Sequence, residues 1–269
     1  RNEPLSMPQL MRGALFSIVL TDGLCRSVAR AGLSNDDLAL IQKRIKDIDY
    51  GFSMRLALEG DIAAMRDAYE AVRKGDVPLS RMATPALYIS PHASADVQDF
   101  LGRLPLWVMR GSLTRDVALS IEYLTLAAEN VNAHPEMVAA SNDPISREIR
   151  AGKNPMALSA SDVAAHLPYM RDSCRARMSS AMAALAALRY KSDNGRWPVG
   201  LGALVPAYLS EVPMDPFVSS PLLYKVDETG ITVYTVGANK LDEGGKGYVG
   251  VPYTPGGDDV GLRIWREER

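Results

Sequence analysis

The residues with the most chemical potential in this chain stand between positions 237 and 259. Gly237-Ala238-Asn239-Lys240-Leu241-Asp242-Glu243-Gly244-Gly245 is followed, after the stretch Lys246 to Pro255, by Gly256-Gly257-Asp258-Asp259. Such a loop offers oxygen donors and a backbone free to fold, the combination a calcium ion needs to gather its about six to eight oxygens. The competing reading is a solvated turn whose aspartates bond their own backbone. No second constellation of this kind is evident in the sequence. His92, His134 and His166 are scattered, and none belongs to an HExxH or other metal spacing. A nucleophile elbow GxSxG, a phosphate loop GxxxxGK and a GxGxxG turn are all missing. Asp61, Asp67 and Glu70 read as a solvated helix face, although carboxylate pairs can converge in space without a linear signature.

The elements flanking the loop have a readable period. Pro221 to Val226 predicts a strand, Asp227 to Gly230 a turn, and Ile231 to Val236 a second strand with the alternation of a sheet that has one face covered. Val260 to Trp265 is expected to return as a third strand after a loop from Gly237 to Gly257. Upstream, Val163, Leu167, Met170, Cys174, Met178, Ala181, Leu185 and Leu188 recur every three or four residues and predict one long helix with one apolar stripe. Pro168 lies inside it, where a kink or restart is expected. Asn194-Gly195 supplies a left-handed stop, Trp197-Pro198 redirects the chain, a short helix is expected over Val199 to Leu209, and Asp215-Pro216 forms a turn.

The run Tyr190 to Pro216, with its asparagine-glycine-aromatic-proline turn, together with the strands and acidic loop that follow, resembles the C-terminal domain of the type II secretion major pseudopilins. The resemblance covers about residues 160–265. It implies a long helix packed on a small antiparallel sheet and a calcium ion held by the glycine-rich loop. By position it makes Asp258 and Asp259 the foremost metal ligands and Asp242 and Asn239 weaker ones. This chain departs from the family in the insertion Lys246 to Pro255. It departs also in Arg171, Asp172, Arg175 and Arg177, which occupy the part of the helix that in pseudopilins lies in the membrane.

The N-terminal half carries only helical signals. Ser6 and Ser34 are N-caps; Leu38, Ile41, Ile45 and Ile48 mark one amphipathic helix, and Phe52, Leu56, Met65, Tyr69 and Val72 a further one ending at Gly75. Pro78, Pro85 and Pro91 mark a connecting loop, Ser94 starts a short helix, and Pro105 to Val131 is a longer one. The next cap is expected at Ser159 or Ser161. The balance of 30 basic against 32 acidic side chains leaves no electrostatic footprint for nucleic acid. The longest strongly apolar run, Ala14 to Leu20, is well short of the roughly 20 residues that span a bilayer, and the start at Arg1 allows for an anchor upstream. Cys25 and Cys174 form no CxxC motif and read as buried thiols, with a disulfide between them as the alternative.

These readings predict an α+β chain with a helical bundle domain over 1–155 and a pseudopilin-like domain over 156–269. The expected role is a non-enzymatic, extracytoplasmic, secretion-associated or surface-assembly protein, stabilised by structural calcium and with other assembly proteins as partners. The alternative is an enzyme or ligand-binding protein with a site in the cleft between the helical domain and the sheet.

Overall fold

The computed structural model describes residues 31–47, 50–74, 76, 106–130, 144–151, 155–249 and 257–265. The expected N-terminal helix from Ser6, the loop from Asp76 to Ser94, the short helix after it, Cys25, His92 and His134 lie outside these residues, apart from Asp76 itself. The described residues hold five helices: α1 (Asn35–Lys46), α2 (Tyr50–Lys74), α3 (Leu106–Glu129), α4 (Pro144–Arg150) and α5 (Pro155–Asn194). Four strands follow, β1 (Leu223–Asp227), β2 (Gly230–Thr235), β3 (Gly247–Val249) and β4 (Asp259–Trp265), in the sheet order β1-β2-β4-β3. The class is α+β.

Two compact units divide the chain. One includes Gly51–Pro168; the other includes Tyr169–Arg269 and α1. In the first unit Leu119, Ile149 and Ala157 form a buried cluster. Asp116, itself buried, accepts a hydrogen bond from the Ala157 N–H at 2.8 Å, so one carboxylate caps the start of α5 from α3. Arg115 holds Glu148 through two hydrogen bonds of 2.9 and 2.5 Å, which fastens α4 to α3.

In the second unit α5 lies against the sheet. Ala181, Ala183 to Ala187 with Leu185, Ile231, Val233, Leu262 and Ile264 make one core, joined by Leu38 of α1. The alanines let backbones approach closely, and the branched residues of β2 and β4 fill the space. β2 is buried at every position, because it is central in the sheet: β1 pairs with it on one side and β4 on the other, both antiparallel.

The structure corrects several sequence expectations. The helix expected over Val199 to Leu209 is only a 3-10 turn, Leu201–Leu204; Pro206 lacks the N–H that a longer helix would need. α5 starts at Pro155, ahead of the expected serine caps, with proline where the first turn needs no donor, and it continues through Pro168 without a restart. The single stripe expected on α5 is instead burial on nearly every side from Arg171 to Ala187, since the sheet and α1 both cover it. The expected loop Gly237 to Gly257 contains a strand, β3, which pairs parallel to β4 and makes the sheet mixed.

Candidate functional site

The acidic loop starts where β2 ends. Gly237 has φ +68°, and a Cβ there would stand 2.0 Å from the Asp258 carbonyl oxygen, so the two ends of the loop touch and only glycine fits. Asn239 then accepts the Leu241 N–H at 2.9 Å through Oδ1, and its amide donates to Glu243. Asp242 accepts the Gly244 N–H at 2.8 Å and the Tyr234 hydroxyl at 3.0 Å, which ties the loop to β2. Both aspartate and asparagine side chains thus close local turns, as these residue types do.

Asp259 is the centre of the arrangement and is fully buried. Its Oδ2 accepts the N–H groups of Gly245 at 2.7 Å and Lys246 at 3.2 Å, and its Oδ1 faces the N–H of Glu243 at 3.5 Å. The Asp259 N–H in turn donates to the Lys246 carbonyl at 3.0 Å. One residue therefore fixes the loop's return from both its side chain and its backbone, and β3 starts from that point. Asp258, half-buried, donates its N–H to Glu243 Oε2 at 3.2 Å. Glu243 is the hub that links Asn239, Asp258 and Asp259, a part that no feature of its sequence context signals.

The electrostatics follow the geometry. Burial pushes the Asp259 carboxyl above the ordinary carboxylate range, against the opposing pull of its N–H donors, and the charge of Glu243 adds to the rise. Glu243 is held below its usual range, first by the Asp258 N–H. Two carboxyl groups driven apart in this way suit proton transfer in principle. Asp259 itself is fully buried beneath the backbone amides whose hydrogen bonds it accepts.

As oxygen donors these residues match a hard cation, and their placement differs one from another. Asp259 has both oxygens turned to N–H groups, which present the wrong charge to a metal. Asn239 and Asp242 are exposed and Asp258 half-buried. Among the described residues no three His, Cys, Asp or Glu side chains are grouped to hold a metal ion.

A second polar cluster lies in the same unit. Arg171 and Asp172, consecutive on α5 and both buried, form an ion pair with two hydrogen bonds of 2.7 and 2.9 Å. Asp215, also buried, accepts the Phe217 N–H at 2.7 Å and the Val236 N–H at 2.9 Å. It closes the Asp-Pro turn and also binds that turn to the end of β2, just before the acidic loop. Burial raises its carboxyl pKa, and the charge of Asp172 adds to the rise. The sequence signal was there in a run of charges on an apolar helix, but their pairing needed the fold. Cys174 is a free, buried thiol whose pKa is pushed up to about 11 by burial. His166 lies on α5.

Comparison of the chain with protein-family models, with curated proteins and with solved structures finds no match to any of them. No helix among the described residues is long and apolar enough to cross a membrane.

Proposed function

We propose that this chain is a non-enzymatic, extracytoplasmic scaffold whose second unit is a pseudopilin-like domain acting in secretion or surface assembly. The observation that carries the reading is the use made of the loop carboxylates. Asp242, Glu243 and Asp259 spend their oxygens on the loop's own amides and on the Tyr234 hydroxyl, in a unit where a long helix packs on the sheet. Such a site builds a surface rather than a reaction centre. Calcium enters this reading as a stabiliser of the outer part of the loop, held by Asn239, Asp242 and Asp258, while Asp259 serves as an internal latch. The ion would neutralise neighbouring acids and cross-brace the loop.

Fractionation of the cells into cytoplasmic, periplasmic, membrane and surface or medium fractions tests the compartment, with a cytoplasmic and a periplasmic marker protein as controls. An extracytoplasmic scaffold separates from the cytoplasmic marker and is recovered outside the cytoplasmic fraction. Recovery only with the cytoplasmic marker would overturn the reading.

A further inference from the structure

We propose that the outer edge of β1 is a pairing surface for a second copy of this chain, joined antiparallel about a two-fold axis at Val226. β1 ends the sheet on one side, and among the described residues no strand pairs with it there. The sheet fixes where its backbone groups point. Residues of an antiparallel strand turn N–H and C=O alternately to one neighbour and to the other. Leu222 donates its N–H away from β2, to the Pro213 carbonyl at 3.0 Å, so Tyr224 and Val226, at the same parity, also point outward. The segment around Met214 covers the edge only as far as that bond, through its bridge to Pro221. Among the described residues no backbone group meets those of Tyr224 and Val226 on that side.

Side chains at this edge favour pairing and choose the partner. Val226 is 47% exposed, and Val199, 91% exposed, follows Pro198, whose carbonyl holds the Tyr224 hydroxyl at 3.1 Å. A lone lysine guards an edge strand against pairing. Here Asp227 stands two positions after Lys225, on the same face of the sheet. With Val226 opposite Val226 of the second copy, each Lys225 faces the other copy's Asp227 in the non-hydrogen-bonded position, where side chains come closest. Asp227 already holds Arg263 at 2.9 Å through Oδ2, and its two oxygens leave room for a second cation. Moving the axis to Lys225 would set lysine against lysine. Moving it to Tyr224 would bring the other copy's Val226 to Leu222, whose N–H is taken. One register is left, and its complement is the strand itself, which closes a symmetric dimer.

Sedimentation velocity of the full chain over a concentration series, with amide exchange at Tyr224 and Val226, tests the surface. The expected result is a monomer–dimer equilibrium in which both amides gain protection as concentration rises. Val226→Pro removes only an outward N–H from an edge strand, and should abolish the dimer while the monomer still unfolds cooperatively. Lys225→Asp sets like charges in opposition and should weaken association roughly 10–30-fold; added salt should narrow that difference. A wild type that stays monomeric at every concentration would leave the edge to a different strand and overturn the proposal. So would a dimer that both variants form as well as the wild type does.

Discussion

Replacing Asp259 with alanine isolates the latch from the rest of the loop. The change removes the acceptor for the Gly245 and Lys246 amides at 2.7 and 3.2 Å; the Glu243 amide at 3.5 Å lies at the edge of bonding and is not counted. A hydrogen bond to a charged acceptor contributes about 1.5–3 kcal/mol net. Part of that is offset, because the buried carboxylate no longer has to be desolvated and water can reach the half-buried amides. The expected loss is about 2–4 kcal/mol. At about 2–4 °C per kcal/mol this lowers the unfolding midpoint by roughly 5–15 °C. Asp258→Ala, which leaves every one of these bonds in place, should change stability by about 0.5 kcal/mol or less. Thermal unfolding followed by near-UV circular dichroism reads the midpoint, and amide exchange at Gly245 and Lys246 reads the latch. Equal midpoints for the two variants, or unchanged exchange at both amides in Asp259→Ala, would refute the reasoning.

Three further outcomes are expected. Gly257→Ala forces a Cβ to 2.5 Å from the Lys246 carbonyl oxygen and 2.9 Å from Glu243 Cβ, and should cost about 1–3 kcal/mol in denaturant unfolding; a neutral substitution would mean that the loop ends are not in contact. Gln42→Ala removes the two bonds that Gln42 makes to α5 and leaves the Arg189 guanidinium with its stacking on Tyr208, for a loss of about 1–3 kcal/mol, with faster amide exchange confined to α1 as its signature. Asp215 has a raised pKa in the folded chain, so its protonated form is favoured by folding. Its contribution is full below the unfolded value of about 3.9 and declines as pH rises through the folded value. Stability of the wild type relative to Asp215→Asn should therefore fall from pH about 3.5 towards neutrality, and a difference that rises instead would contradict the assignment.

The hairpin was legible because two runs rich in branched and aromatic residues flank Asp227-Glu228-Thr229-Gly230, the turn from β1 into β2, in which Asp227 accepts the N–H groups of Thr229 and Gly230. The long helix was legible from its period. What it packs on was not, because alanine at 183, 184, 186 and 187 carries almost no directional signal, and burial there is decided by a sheet formed later in the chain and a helix about 140 residues earlier. β3 escaped notice because Gly247-Tyr248-Val249 is too short to show a period; it exists because Asp259 places Lys246 beside β4. In the loop the residue types were readable and their roles were not. Adjacent residues of extended chain point to opposite sides, so Asp258 and Asp259 have different burial and different partners, a distinction that identical letters do not carry. Arg171 and Asp172 read in sequence only as an obstacle to a membrane helix, whereas the fold buries them as a pair.

The most direct test of the scaffold account is thermal unfolding in excess calcium and again in chelator, for the wild type, Asp242→Ala/Asp258→Ala and Asp259→Ala. A ligand at 100 times its dissociation constant adds about 2.7 kcal/mol to the folded state, a shift of several degrees. The account predicts that calcium raises the wild-type midpoint, that the double variant loses this rise, and that Asp259→Ala has a lowered midpoint even in chelator. Identical wild-type midpoints with calcium and with chelator would contradict it.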